Sequence, residues 1–129
     1  MSLSGLQHYK NVGAHGNLAE ATPYQVVRIM LDAALSRLAE ASGHLERNEV
    51  AAKGEKIGKA LGIIEGLMLG IDRERGGELA HNLERLYEYA SRTLVRANLE
   101  NRDDLLKEVS SLLREIKIGW DGIAPSARA

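Results

Sequence analysis

The sequence predicts an all-α protein: an antiparallel up-down-up-down four-helix bundle with a short, mobile N-terminal arm. Its apolar residues are mainly Leu, Ile, Val, Met and Ala, with 4% aromatic residues and no Phe. Leu, Met and Ala favour helices, and few residues favour strands. Prolines stand only at Pro23 and Pro125, so the long stretch between them contains no breaker of that kind. Apolar residues recur there at alternating spacings of three and four, as on helix faces.

The first predicted helix begins at Thr22, which can cap it, followed by Pro23 at a favoured first position and Gln25, which can complete a capping box. It is expected to end near Arg47, with Asn48 in the turn. Its apolar stripe consists of Val27, Leu31, Ala34, Leu38, Ala41 and Leu45.

Three further helices follow, at about Glu49–Asp72, Glu78–Leu99 and Asp103–Gly122. The polar, glycine-ended segment 72–77 is expected to be a loop. The second stripe contains Ile57, Leu61, Ile64, Met68 and Ile71; the third Leu79, Leu83, Leu86, Ala90, Leu94 and Ala97; the fourth Leu106, Val109, Leu113, Ile116, Trp120 and Ile123. Short connections make neighbouring helices antiparallel. The predicted division is an arm at 1–21, a bundle at 22–124 and a flexible tail at 125–129.

Composition excludes several classes of function. The chain of 129 residues fits one domain, and without cysteine it has neither disulfides nor thiolate chemistry. A net charge of −1 gives no electrostatic footprint for nucleic acid. No apolar run is long enough to cross a membrane, and the first residues do not resemble a signal peptide. A cytoplasmic location is therefore expected.

The sequence offers little catalytic chemistry. Di-metal bundles use paired Glu-x-x-His motifs, and only Glu78 and His81 have that spacing, without both being able to face the core. Gly76 and Gly77 precede a helix, where a turn with positive φ is a better interpretation than an anion site. No metal, cofactor or enzyme activity is predicted.

Apolar residues outside the stripes suggest a surface for a partner. Ile29, Leu69, Val95 and Ile118 point away from the predicted core, whereas Ile63 and Leu67 either belong to this surface or widen the core. Glycines also recur every four residues on the second helix, at Gly54, Gly58, Gly62, Gly66 and Gly70. Such a track either lets another backbone approach or reflects composition alone; its rotation of about 40° per step would curl it around the helix.

One stretch resembles a known family. Gly76-Gly77-Glu78-Leu79-Ala80-His81-Asn82-Leu83, continuing through Leu86-Tyr87-Glu88-Tyr89 to Leu94 and Ala97-Asn98, is similar to the G-G-E-[IL]-A-x-N-L-x-x-L-Y-x-Y pattern of the flagellar secretion chaperone family FliS. Shorter similarities are Tyr9-Lys10-Asn11-Val12, Ala21-Thr22-Pro23, Ala51-Ala52-Lys53-Gly54 and Trp120. Leu31-Asp32-Ala33-Ala34 departs from the family's Y/F-D-G-A.

The resemblance implies a non-enzymatic cytoplasmic chaperone. It would bind the C-terminal segment of flagellin, prevent premature polymerisation and support type III export, with other flagellar proteins and the export apparatus as possible further partners. Tyr9 and Val12 would belong to an arm that covers part of the groove, and Tyr87 and Tyr89 join the binding candidates. The alternatives are a generic four-helix adaptor that dimerises through Ile29, Val95 and Ile118, and a metal or cofactor bundle enzyme.

Overall fold

The computed structural model describes residues 21–123, and this part of the chain consists of four helices without strands. These are α1 (Pro23–Glu46), α2 (Val50–Leu69), α3 (Arg73–Glu100) and α4 (Asp103–Asp121). The predicted all-α four-helix bundle is confirmed. Most of the predicted arm and tail lies outside the described residues.

The start of α1 has the capping box that the sequence predicts. The Thr22 hydroxyl oxygen accepts a hydrogen bond from the Gln25 backbone N–H at 3.2 Å, and Gln25 Oε1 accepts one from the Thr22 N–H at 2.9 Å. These bonds satisfy amide groups that have no partner within the helix. Pro23, which lacks an N–H, occupies the first turn at no such cost.

The beginning of α3 differs from the prediction. Residues 73–76 form a helical turn where a loop was expected, because Asp72 Oδ1 accepts hydrogen bonds from the backbone N–H groups of Glu74 at 3.2 Å and Arg75 at 3.1 Å. The break falls instead at Gly77, with φ 54° and ψ −127°. The expected positive φ is therefore present, as a kink inside α3.

The helices form a closed square. Within the described residues, α1 packs against α2 and α4, and α3 packs against the same two helices; the α1–α2 pair is the most extensive. Connections of two or three residues keep successive helices antiparallel. At the end where α1 begins, the rings of Tyr24 and Trp120 stack with centroids 5.6 Å apart, and the Trp120 indole N–H donates to the Tyr24 carbonyl at 3.2 Å.

Most residues of the predicted stripes are buried or packed against the core, which also includes residues beside the stripes, such as Val26, Met30 and Ala60. The first half of α3 departs from the prediction. Leu79 and Leu86 are 46% and 37% exposed, whereas Ala80 and Tyr87 are buried in their place. A step of seven residues falls about 20° short of two full turns, so a heptad stripe drifts around a straight helix. From Ala90 onward the predicted stripe of α3 is buried, whereas before Ala90 the positions one residue later, Ala80 and Tyr87, face the core.

Candidate partner-binding surface

Three of the predicted binding residues lie in the core. Ile63, Leu67 and Tyr87 are 3%, 4% and 2% exposed. Burial also raises the pKa of the Tyr87 hydroxyl well above its ordinary value. The side chains of these three residues are therefore not accessible to a partner in this conformation. Ile63 and Leu67 widen the core face of α2 and do not belong to an exposed partner surface.

The other candidates do not form a single groove. Leu69, Tyr89, Val95 and Ile118 are exposed, whereas Ile29 is partly buried and packs against the core. Tyr89 and Val95 lie on opposite shoulders of α3, six residues apart and therefore about 120° apart around the helix. Among the described residues of α4, Ile118 is the one large hydrophobic residue that is exposed. Tyr9 and Val12 lie outside the described residues.

The structure adds two exposed leucines to the candidates. Leu79, Leu86 and Tyr89, here called the α3 apolar row, lie on the shoulder of α3 that faces α4; the Tyr89 hydroxyl donates a hydrogen bond to the Glu108 carboxylate of α4. This bond to an anion favours the protonated phenol and raises the Tyr89 pKa. The competing stripe through Ala80, Tyr87 and Leu94 is the sequence signal that could have identified the two leucines as surface residues.

The glycine track of α2 does not form a continuous channel. Gly58 is exposed, and a Cβ atom built there would meet nothing within 4 Å, whereas one at Gly54 would lie 3.5 Å from Asn98 Oδ1. Gly66 is buried. The track thus passes from an open position to a covered one, as its rotation around the helix predicts.

A cleft of about 540 Å³ opens between the α1–α2 and α3–α4 turns. Asp103 lies at its edge, and the Ser42 hydroxyl donates a hydrogen bond to its carboxylate, which lowers the Asp103 pKa; Lys107 acts in the same direction from 2.9 Å. The other residues that line the cleft are Leu45, Glu46, Asn48, Val50 and Asn101. This mixture of polar and apolar groups provides no nucleophile with a paired base.

The described part of the chain also holds no metal centre. Across residues 21–123, no three His, Asp or Glu side chains cluster as ligands, and Glu78 and His81 are both exposed on α3. None of the described helices combines the length and apolar character needed to span a membrane. What the surface offers is apolar contact, concentrated along α3.

Comparisons with known proteins identify the family. The family model described as "Flagellar protein FliS" matches residues 5–127. The chain is 46% identical to a protein of Pseudomonas aeruginosa named flagellar secretion chaperone FliSB, over 95% of this chain and 98% of the relative. It is 42% identical to flagellar secretion chaperone FliS of Salmonella typhimurium, over 96% and 93%, and 36% identical to the protein of that name in Vibrio cholerae, over 93% and 88%. The chain therefore belongs to the FliS family of flagellar proteins.

Proposed function

We propose that this chain is a cytoplasmic, non-enzymatic flagellar secretion chaperone that binds the C-terminal segment of flagellin, prevents its premature polymerisation and supports type III export. The observation that carries the proposal is the family match over residues 5–127. In addition, the chain is similar over almost the whole length of two relatives that are named flagellar secretion chaperones.

The exposed apolar residues suit a polypeptide ligand. A disordered segment loses conformational entropy when it binds, so its contacts have to be spread over a long surface. The α3 apolar row offers such contacts along the 11 residues from Leu79 to Tyr89, a rise of about 15 Å along the helix. Leucines of the flagellin segment would pack against this row and against Leu69 of α2 and Val95 of α3.

The N-terminal arm has a regulatory role in this proposal. Tyr9 and Val12 would cover part of the binding surface until flagellin displaces them, which lowers the apparent affinity and helps release. Deletion of residues 1–15 should therefore preserve or strengthen flagellin binding. A large loss of affinity would instead make the arm part of the binding site.

Calorimetric titration of a flagellin C-terminal fragment tests the proposed surface. Leu79→Asp and Leu69→Asp should each weaken binding while the circular dichroism spectrum stays helical, because both side chains are about half exposed. Ser36→Asp, at an exposed position on α1, is the matched control for an added charge. If both leucine variants bind the fragment as tightly as Ser36→Asp does, this surface is excluded as the flagellin site.

A further inference from the structure

The outer face of α3 carries a second pattern of residues, which shares Tyr89 with the apolar row. Arg85, Tyr89, Arg92 and Arg96 are spaced by four, three and four residues, and all four are exposed. At about 100° per residue they fall within about 60° of one another, and they extend over about 16 Å of the helix. They form a straight band of three guanidinium groups around one phenol, here called the α3 basic stripe.

Two arginines of this stripe have no carboxylate partner. Among the described side chains, Arg85 and Arg92 make no ion pair, although Glu88 lies within one turn of both; Arg37, Arg47 and Arg102 elsewhere are paired with Glu40, Glu49 and Asp104. The third, Arg96, pairs with Glu100 at 2.9 Å, with 58% and 45% of the two side chains exposed. Such an exposed pair is weak and exchanges easily with other partners.

The surroundings of the stripe distinguish it from an ordinary solvated face. Leu86 lies on the shoulder toward α4, and Val95, 48% exposed, lies on the opposite shoulder. Tyr and Arg are among the residues enriched at the centres of protein interfaces, where they pack beside apolar side chains. The net charge of the chain is −1, so any attraction for an acidic ligand must come from this local stripe rather than from the protein as a whole.

The neighbouring helix adds an orientation signal. Glu108 and Glu115 are exposed on the side of α4 that adjoins α3, and Glu108 already accepts the Tyr89 hydroxyl. This part of the surface therefore has three arginines on α3 and two glutamates on the adjoining side of α4. A segment with carboxylates along one edge only would be attracted by one helix and repelled by the other, which sets its position on the surface.

We propose that the α3 basic stripe receives carboxylate side chains of the bound flagellin segment, with Arg85 and Arg92 as their principal partners, while apolar side chains of that segment contact Leu86 and Tyr89. The inference rests on the proposed function and specifies the chemistry of its ligand: an acidic, leucine-containing segment laid along α3. The guanidinium group suits this role because it can bind a carboxylate through two parallel hydrogen bonds.

The test is the salt dependence of binding by the full-length chain to the flagellin C-terminal fragment. Arg85→Gln/Arg92→Gln should lower the association rate roughly ten-fold at low salt, and it should flatten the dependence of the dissociation constant on salt. The matched control is Arg75→Gln/Arg114→Gln, which removes the same charge from exposed positions outside the stripe. This control should retain nearly the full salt dependence of the unmodified chain.

The outcomes separate the two proposals. If the unmodified chain does not bind the fragment, the proposed function fails and this inference fails with it. If the unmodified chain binds and the two double variants have the same affinity and salt dependence, only the basic stripe is excluded. Circular dichroism of both double variants checks that they are folded. Charge reversal by Arg85→Glu/Arg92→Glu should weaken binding more than Arg85→Gln/Arg92→Gln does.

Discussion

The ammonium group of Lys53 donates a hydrogen bond to Asn101 Oδ1 at 2.6 Å, which joins α2 to the turn between α3 and α4. Lys53 is 1% exposed and also donates to the Asn98 carbonyl oxygen at 2.9 Å. Its positive charge therefore lies at the C-terminal end of α3, where the helix dipole favours a cation. Asn101 ends the helix in the left-handed conformation, with φ 52° and ψ 49°.

Two substitutions of Asn101 separate the contribution of its hydrogen bond with Lys53 from that of its left-handed backbone conformation. Asn101→Gly removes one of the two acceptors of Lys53 but keeps the left-handed backbone accessible, and should lower the free energy of unfolding by about 1–2 kcal/mol. Asn101→Ala should lower it by about a further 1 kcal/mol, because a Cβ atom disfavours that conformation. Urea denaturation followed by circular dichroism measures both. Equal stability of the two variants would show that the backbone conformation contributes nothing.

Gly58→Ala tests whether the glycine track on α2 matters for binding. The new methyl group would meet nothing within 4 Å, and alanine is the better helix former, so the free energy of unfolding should rise by about 0.5–1 kcal/mol. We expect flagellin affinity to stay unchanged in calorimetric titration. A variant that is more stable but binds more weakly would instead show that a partner approaches the helix backbone at this position.

Gly77→Ala should be destabilising. The backbone at Gly77, with φ 54° and ψ −127°, lies in a region that residues with a Cβ atom rarely adopt. The expected loss in the free energy of unfolding is about 1–3 kcal/mol. Urea denaturation of Gly77→Ala beside Gly58→Ala measures this, and opposite signs are expected for the two glycines. A stabilising effect at Gly77 would contradict the kink.

The stability of the chain should depend on Asp103 in acid. The Ser42 hydroxyl and then the Lys107 ammonium lower its pKa below the ordinary value of 3.8, so the folded state favours the ionised carboxylate. This contribution is present above the ordinary pKa and is lost as the pH falls through the lower folded pKa. Asp103→Asn should therefore flatten the acid decline in the free energy of unfolding. If the stability of Asp103→Asn declines in acid as steeply as that of the exposed control Glu88→Gln, the ionised Asp103 carboxylate does not contribute to stability.

The sequence predicts the structure correctly where a local rule decides it. The capping box of Thr22 and Gln25 depends on residues three apart, so it fixed the start of α1. The turn at Asn48, with φ 59°, follows from the tolerance of Asn for that conformation. The fold class follows in the same way, since continuous apolar stripes and short connections leave few arrangements other than a bundle.

The sequence does not predict the structure where two hydrophobic patterns compete. The Leu79–Leu86 stripe and the Ala80–Tyr87 stripe lie side by side on α3, and only packing against α2 and α4 decides which one is buried. The same ambiguity left Ile63 and Leu67 of α2 between core and surface. The polar, glycine-ended segment 72–77 indicates a loop and so does not predict the early start of α3, although the Asp72 carboxylate caps the turn before Gly77.

Co-purification with flagellin tests the central claim most directly. The chain would be co-expressed with full-length flagellin and, separately, with flagellin lacking its C-terminal segment, and each complex would be analysed by size exclusion with light scattering. The proposed function predicts a stable complex with full-length flagellin, which stays unpolymerised, and no complex with the truncated form. Equal binding of both forms, or of neither by a correctly folded chain, would contradict it.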